Sequence, residues 1–374
     1  MSENDENTKL THHIDQIHIE GFKSIEKATV PLGPLNVLIG ENGAGKSNFI
    51  SAFRLLHAMT DPPLNTYVTM NGGVHSVLRF GPEVTRRMSV KAEIKIDGVK
   101  SVCQGTVACT GGGQYYSAEI AQACPAATAP KPESTGGREI AQTEDERPQP
   151  NWKASIRGEL ESFLNRIKVY HFNDTSGLSA LKSSCDSHAY RFLYPDGANL
   201  AAFLYMLREA HPSHYDRITS AIQRVFPSFG GFDIEPDRHI PGKVSLEWFE
   251  NDHEPILTAC DISDGTLRFI CLAALLMQPF DHPQAPEVIV IDEPELGLHP
   301  FAVAQIAAML EAASRYVQVI VSTQSSILVR RLTSPDSVMI VNRSLHGTVF
   351  ERLEPADLAL WLDDYEHIPM VFDG

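Results

Sequence analysis

The stretch Leu35-Asn36-Val37-Leu38-Ile39-Gly40-Glu41-Asn42-Gly43-Ala44-Gly45-Lys46-Ser47 reads as an apolar strand running into a glycine-rich turn. Behind it, Phe49, Phe53, Leu56 and Met59 recur at helical spacing, which predicts a helix over residues 46–59. Strand, GxxxxGK[ST] and helix in that order form a phosphate-binding loop. The glycines let backbone N–H groups close around phosphate oxygens, and the following helix offers the positive end of its dipole. Lys46 is expected at the β- and γ-phosphates, and the Ser47 hydroxyl on Mg²⁺. Gly40, Glu41, Asn42, Gly43, Ala44, Gly45, Lys46, Ser47 and Asn48 are therefore the first candidate nucleotide contacts.

A second half of such a site stands far down the chain. Val288-Ile289-Val290-Ile291 is fully apolar and ends in Asp292-Glu293. An acid at the end of a buried strand holds Mg²⁺ in P-loop enzymes, which is the role expected of Asp292. The adjacent Glu293 is placed to polarise a water aimed at the γ-phosphate. From residue 265 onward the pattern runs helix (265–277), strand (287–291), helix (300–314), strand (317–322), helix (325–333), strand (337–342), which predicts an α/β fold with a parallel sheet covered on both faces.

The rest divides into four segments. Residues 1–108 are expected to form an N-terminal lobe with the phosphate loop and antiparallel strands, among them a hairpin turning at Asp97-Gly98. Residues 109–152, rich in Gly, Ala, Pro and polar side chains, read as a flexible insertion. Residues 153–242 hold a strand at 167–172 and two helices, 199–210 and 213–226, that form a small helical lid. Residues 243–374 complete the sheet, after a strand over 243–250, and end in an acidic tail with one base, Arg352, between Glu351 and Gly374. That tail reads as a solvated face or as a dock for a basic partner.

The formal net charge of −16 argues against a surface given over to nucleic acid. Contact with nucleic acid is expected only through a partner or a local basic patch. Six cysteines without a CxxC pair, no apolar leader and no apolar run of membrane-spanning length point to a reducing, cytoplasmic setting without a membrane.

Glu20-Gly21-Phe22-Lys23-Ser24-Ile25, Gly40 to Asn48, Ser263-Asp264-Gly265-Thr266 and Asp292-Glu293-Pro294-Glu295-Leu296-Gly297-Leu298-His299-Pro300 follow one another in this order. The order resembles the AAA-type, RecF/SMC-like ATPases of the ABC ATPase superfamily, in a compact form without a long coiled coil. The resemblance implies a P-loop NTPase of ABC/SMC-head type with an antiparallel β lobe, using ATP and Mg²⁺. It places Ser263, Asp264 and Gly265 at the signature motif, which grips the γ-phosphate of ATP bound by the opposite copy. Arg268, one turn further, becomes a candidate for phosphate or interface contact, and Lys23 and Ser24 fall at nucleotide-contacting positions. Asn173 is the candidate third magnesium-site residue, after the strand over 167–172. His299 fits the family's His-Pro, in a structural or interface role.

One position departs from the family. Similar heads carry a His after the strand that follows the acidic pair; here Ser322-Thr323-Gln324-Ser325 puts Gln324 there. Glutamine can hydrogen-bond the γ-phosphate or the attacking water but cannot titrate, so slow hydrolysis is expected, with Glu293, Gln324 and Lys46 as the catalytic set. The resemblance further implies a homodimer through an ATP sandwich, or a higher oligomer, working beside a separate effector protein such as a nuclease or toxin, in anti-phage defence or DNA maintenance. The other reading is a nucleotide-gated scaffold or sensor with negligible turnover.

Overall fold

The computed structural model describes residues 10–60, 63–110, 113–122, 151–176, 179–237, 240–251, 255–345 and 347–367. Its centre is a six-stranded sheet. Five of the strands are parallel: β3 (Leu35–Ile39), β7 (Ile167–Tyr170), β13 (Val288–Asp292), β14 (Gln318–Thr323) and β15 (Val338–Ser344). β16 (Gly347–Glu351) adds antiparallel to β15, giving the order β16-β15-β3-β14-β13-β7. Val288–Ile291 is continuously apolar, and Leu35–Ile39 is apolar apart from the buried Asn36, because both faces of this sheet are buried.

The two faces meet different partners. Leu38, Val288, Val290 and Ile320 pack toward α1 (Lys46–His57) and an antiparallel sheet. Val37, Ile39, Ile289, Ile291, Val319 and Val321 point the other way, into a core shared with helices. The antiparallel sheet comprises β1 (His12–Phe22), β2 (Ile25–Pro31), β4 (Arg87–Ile96), β5 (Val99–Thr110) and β6 (Gly113–Gln122), in the order β2-β1-β4-β5-β6. Asp97 and Gly98 both take positive φ, 48° and 83°, as a two-residue hairpin with right-handed strand twist requires. Short helices α2 (Leu64–Met70) and α3 (Val74–Val77) lie between α1 and β4, and α4 (Asn151–Asn165) leads into β7.

The opposite layer holds α5 (Leu200–Ala210), α6 (Pro212–Val225), α7 (Asp264–Leu276), α8 (Pro300–Ala313) and α9 (Ser326–Val329). α5 and α6, the expected helical lid, pack on each other and on α7. Beside them lie two small sheets: β8 (Cys185–Asp186) with β10 (Lys243–Val244), and β9 (Phe229–Phe232) with β11 (Glu247–Glu250) and β12 (Leu257–Thr258). α10 (Pro355–His367) closes the described chain.

Four expectations change. Part of the 109–152 insertion is the ten-residue strand β6, paired with β5 from Thr110↔Gly113 to Ser101↔Gln122. Its glycines and polar residues masked the strand propensity of Tyr115, Tyr116 and Ile120; residues 123–150 lie outside the described residues. The single strand expected over 243–250 is two strands in different sheets, β10 and β11. The helix expected over 325–333 is confined to Ser326–Val329. The acidic tail is not only a solvated face, since Leu358 and Leu362 of α10 are buried.

Candidate functional site

The phosphate loop leaves β3, which lies between β15 and β14, at its carboxyl end, where open α/β sheets bind ligands. Its glycines answer to geometry. A Cβ on Gly40 would lie 2.1 Å from the Val341 carbonyl oxygen. At Gly45, φ is 115° and a Cβ would lie 2.1 Å from Thr348 Oγ1. Gly45 also caps α1 with no side-chain hydrogen bond to the first turn, leaving those N–H groups for an anion. Glu41, Asn42, Gly43 and Ser47 are exposed around this helix start, whereas Ala44, Gly45 and Lys46 are buried.

Lys46 Nζ donates to the carbonyls of Gly40, at 2.7 Å, and Glu41, at 2.9 Å. Burial pulls its pKa down, opposed by the carboxylates of Glu293, Asp292, Glu295 and Glu41. Four acids around one lysine leave a local excess of negative charge. A nucleotide's phosphates would fit there only with a divalent cation, and the Ser47 hydroxyl and Asp292 carboxylate are the hard oxygen donors Mg²⁺ prefers. The residues present thus fit both groups: the N–H groups of the loop and Lys46 would hold the phosphates, and Ser47 and Asp292 the metal. When bound, Mg²⁺ would neutralise charge on the β- and γ-phosphate oxygens.

The carboxyl ends of β13 and β14 bring the acidic residues and the glutamine together. Asp292 pairs with Ser322 in register, and the Ser322 hydroxyl donates to the Asp292 carboxylate. Glu293 takes φ of 50°, a left-handed conformation unusual for a non-glycine residue. Gln324 Nε2 donates directly to Glu293 Oε1. Glu295 Oε1 accepts from Thr323 Oγ1 at 2.7 Å and from Gln324 N at 2.9 Å.

Lys23 and Ser24 flank the loop from the turn between β1 and β2. Lys23 Nζ donates to Ser51 Oγ at 3.0 Å on α1, and burial with the nearby Arg54 lowers its pKa. Ser24 is buried, sharing a hydrogen bond with Thr348 Oγ1 at 2.7 Å and accepting one from Asn48 Nδ2 at 2.7 Å. Thr348 in turn donates to the Ala44 carbonyl at 2.9 Å. In this arrangement Ser24 and Asn48 brace the loop from behind. Thr348 had no signal in the sequence, standing about three hundred positions from the residues it supports.

The signature-like segment is built at the start of α7. Ser263 caps the helix, accepting from Thr266 N at 3.2 Å and donating to Thr266 Oγ1 at 2.8 Å. Asp264 pairs with Lys182 at 3.1 Å. A Cβ on Gly265 would lie 2.5 Å from the Gly297 carbonyl oxygen, so α7 presses directly on the loop after β13. Ser263 and Asp264 are exposed, and among the described residues no hydrogen bond or ion pair joins residues 263–266 to the phosphate loop.

Arg268 is placed differently from a free phosphate contact. It is buried, with Nε on the Phe172 carbonyl at 3.1 Å, Nη1 on the Leu296 carbonyl and Nη2 on the Asn173 carbonyl at 3.4 Å. Asn173 follows β7, next to β13 in the sheet, and meets Arg268 through its backbone oxygen. His299 caps α8, its Nδ1 accepting from Phe301 N at 3.3 Å.

The fold and this edge of the sheet are those of a P-loop NTPase of SMC-head type. Solved structures share the architecture. An Smc head bound to the C-terminal winged-helix domain of ScpA superposes with a TM-score of 0.61 at 15% identity, over 92% of this chain and 99% of that one. The Pyrococcus furiosus Smc head with an extended coiled coil, bound to the C-terminal domain of ScpA, gives 0.57 at 13% identity over 95% and 100%. The Pyrococcus yayanosii Smc head with coiled coil and joint gives 0.54 at 11% identity over 95% and 100%. No curated protein matches the sequence. A family model for the AAA ATPase domain matches residues 13–99. The chain belongs to the family described as AAA domain, putative AbiEii toxin, Type IV TA system, whose model matches residues 134–330.

Proposed function

We propose that this chain binds and hydrolyses ATP with Mg²⁺, and that two copies close across the nucleotide, each offering Ser263, Asp264 and Gly265 to the γ-phosphate held by the other. The observation that carries this reading is the separation within one chain. Lys46, Asp292, Glu293 and Gln324 gather at one sheet edge, while the capped, exposed start of α7 makes no bond to that edge. In the closed state Lys46 exchanges its two carbonyls for phosphate oxygens. Ser47 and Asp292 hold the metal, with Asn173 at the neighbouring strand end, and Glu293 takes the proton of the attacking water. Gln324 orients Glu293 and that water, without a titratable group of its own.

Closure then controls a separate effector. The family's description, a putative AbiEii toxin of a type IV toxin–antitoxin system, supports a place in such a system, which we read as anti-phage defence. A second reading, a nucleotide-gated scaffold with negligible turnover, is favoured by one observation: Glu293 Oε1, the expected base, is already engaged by Gln324. Single-turnover hydrolysis of [γ-³²P]ATP by wild type and Lys46→Ala separates the two. Turnover that vanishes in Lys46→Ala supports the ATPase; tight ATP binding without phosphate release supports the scaffold.

A further inference from the structure

Glu295 lies in the loop after β13, and none of the roles above belongs to it. One of its oxygens is heavily used, accepting both the Thr323 hydroxyl and the Gln324 backbone N–H. Thr323 Oγ1 also accepts from Ser325 N at 2.9 Å, so the whole turn after β14 is organised around this carboxyl. From the same turn the Gln324 side chain reaches back onto Glu293. Residues 293–298 are themselves fixed from the far side, where Arg268 holds the Leu296 carbonyl and Gly265 abuts the Gly297 carbonyl. The second oxygen, Oε2, is buried with no hydrogen-bond partner. Such a group is costly unless its placement serves something. Burial first, then the charge of Glu293, raises the Glu295 carboxyl above the ordinary glutamate range. The used oxygen can accept both donors in either protonation state.

The geometry points to Glu295 as a positioning residue for hydrolysis: by holding Thr323 and the Gln324 N–H on one oxygen, it delivers the Gln324 amide to Glu293. The inference rests on the ATPase reading but is tested apart from it. In this role Glu295 acts through Gln324, so a glutamine in its place, isosteric and able to accept the same two bonds, does most of its work. A displaced positioning group typically costs about a hundredfold in rate.

The test compares Glu295→Ala, Glu295→Gln and Gln324→Ala in the full chain, by single-turnover ATP hydrolysis, by affinity for a fluorescent ATP analogue, and by hydrogen exchange of the peptide spanning 320–328. The expectation is that Glu295→Ala loses roughly tenfold to a hundredfold in rate with affinity within about twofold. Glu295→Gln recovers most of the loss. Adding Glu295→Ala to Gln324→Ala slows the reaction no further, because both act through one contact. The Gln324 amide exchanges faster in Glu295→Ala and at the wild-type rate in Glu295→Gln. Unchanged exchange in Glu295→Ala, or losses that multiply in the double variant, overturns the proposal. If wild type shows no turnover that Lys46→Ala abolishes, the ATPase reading fails while the exchange result still decides the role of Glu295. If Glu295→Ala does not fold, Glu295→Asp replaces it: the shortened side chain is expected to lose the Gln324 protection, and retained protection overturns the proposal.

Discussion

Gly45 shows how tightly a single residue is constrained here. With φ of 115° and Thr348 Oγ1 2.1 Å from where a Cβ would stand, any side chain at this position pushes on the hydroxyl that also braces Ala44 and Ser24. Gly45→Ala is expected to abolish binding of a fluorescent ATP analogue while leaving the far-UV circular dichroism spectrum unchanged; wild-type affinity would contradict the bracing role given to Thr348. Glu295 gives a prediction in pH. Because burial raises its pKa, the native protein keeps a proton that the unfolded chain releases. Stability from the neutral carboxyl is therefore full below the ordinary glutamate value of about 4.3 and is lost as pH rises toward the raised value. Melting temperature measured from about pH 4 to pH 7 is expected to fall less steeply in Glu295→Gln than in wild type. Parallel profiles would contradict it.

At the scale of elements, Arg268 ties three together: α7, the end of β7 and the loop after β13. Its sequence neighbours made it a phosphate candidate, because a basic residue one turn into a signature helix has an anion as its most obvious partner. The three carbonyls that claim it are distant in sequence and carry no side-chain signal. Arg268→Ala removes the Nε donor from the buried Phe172 carbonyl, at about 1–3 kcal/mol for an unsatisfied buried group, and loosens the part-buried Leu296 and Asn173 carbonyls. The expected result is a melting point several degrees lower, by differential scanning calorimetry; an unchanged one would place Arg268 outside the framework. The same contrast separates what the sequence revealed from what it hid. β3, α1, β13, β14 and α8 were legible because apolar runs and 3.6-residue spacing report burial directly. β6 was hidden behind glycines, and α10 behind acids, although Leu358 and Leu362 lie four apart and both pack inward. The candidate site was legible as far as its motifs extend. Thr348, Ser322 and the supporting role of Glu295 were not, since each depends on which strands become neighbours.

At the scale of the molecule, one chain keeps the phosphate loop and the exposed start of α7 apart. The surface around that helix start is suited to contact: Leu296 is 45% and Phe301 49% exposed, near the exposed His299. Ser263→Arg is expected to leave ATP affinity within about twofold yet stop hydrolysis, measured by phosphate release; undiminished hydrolysis would show that α7 is not used. Glu293→Gln keeps the loop and the metal donors but removes the base, so the closed state should persist. The most direct measurement is the mass of Glu293→Gln by size exclusion with light scattering, with and without saturating ATP and Mg²⁺. Closure across the nucleotide predicts that ATP converts the 41.3 kDa chain to a species of about twice that mass. A mass that ATP leaves unchanged would contradict it.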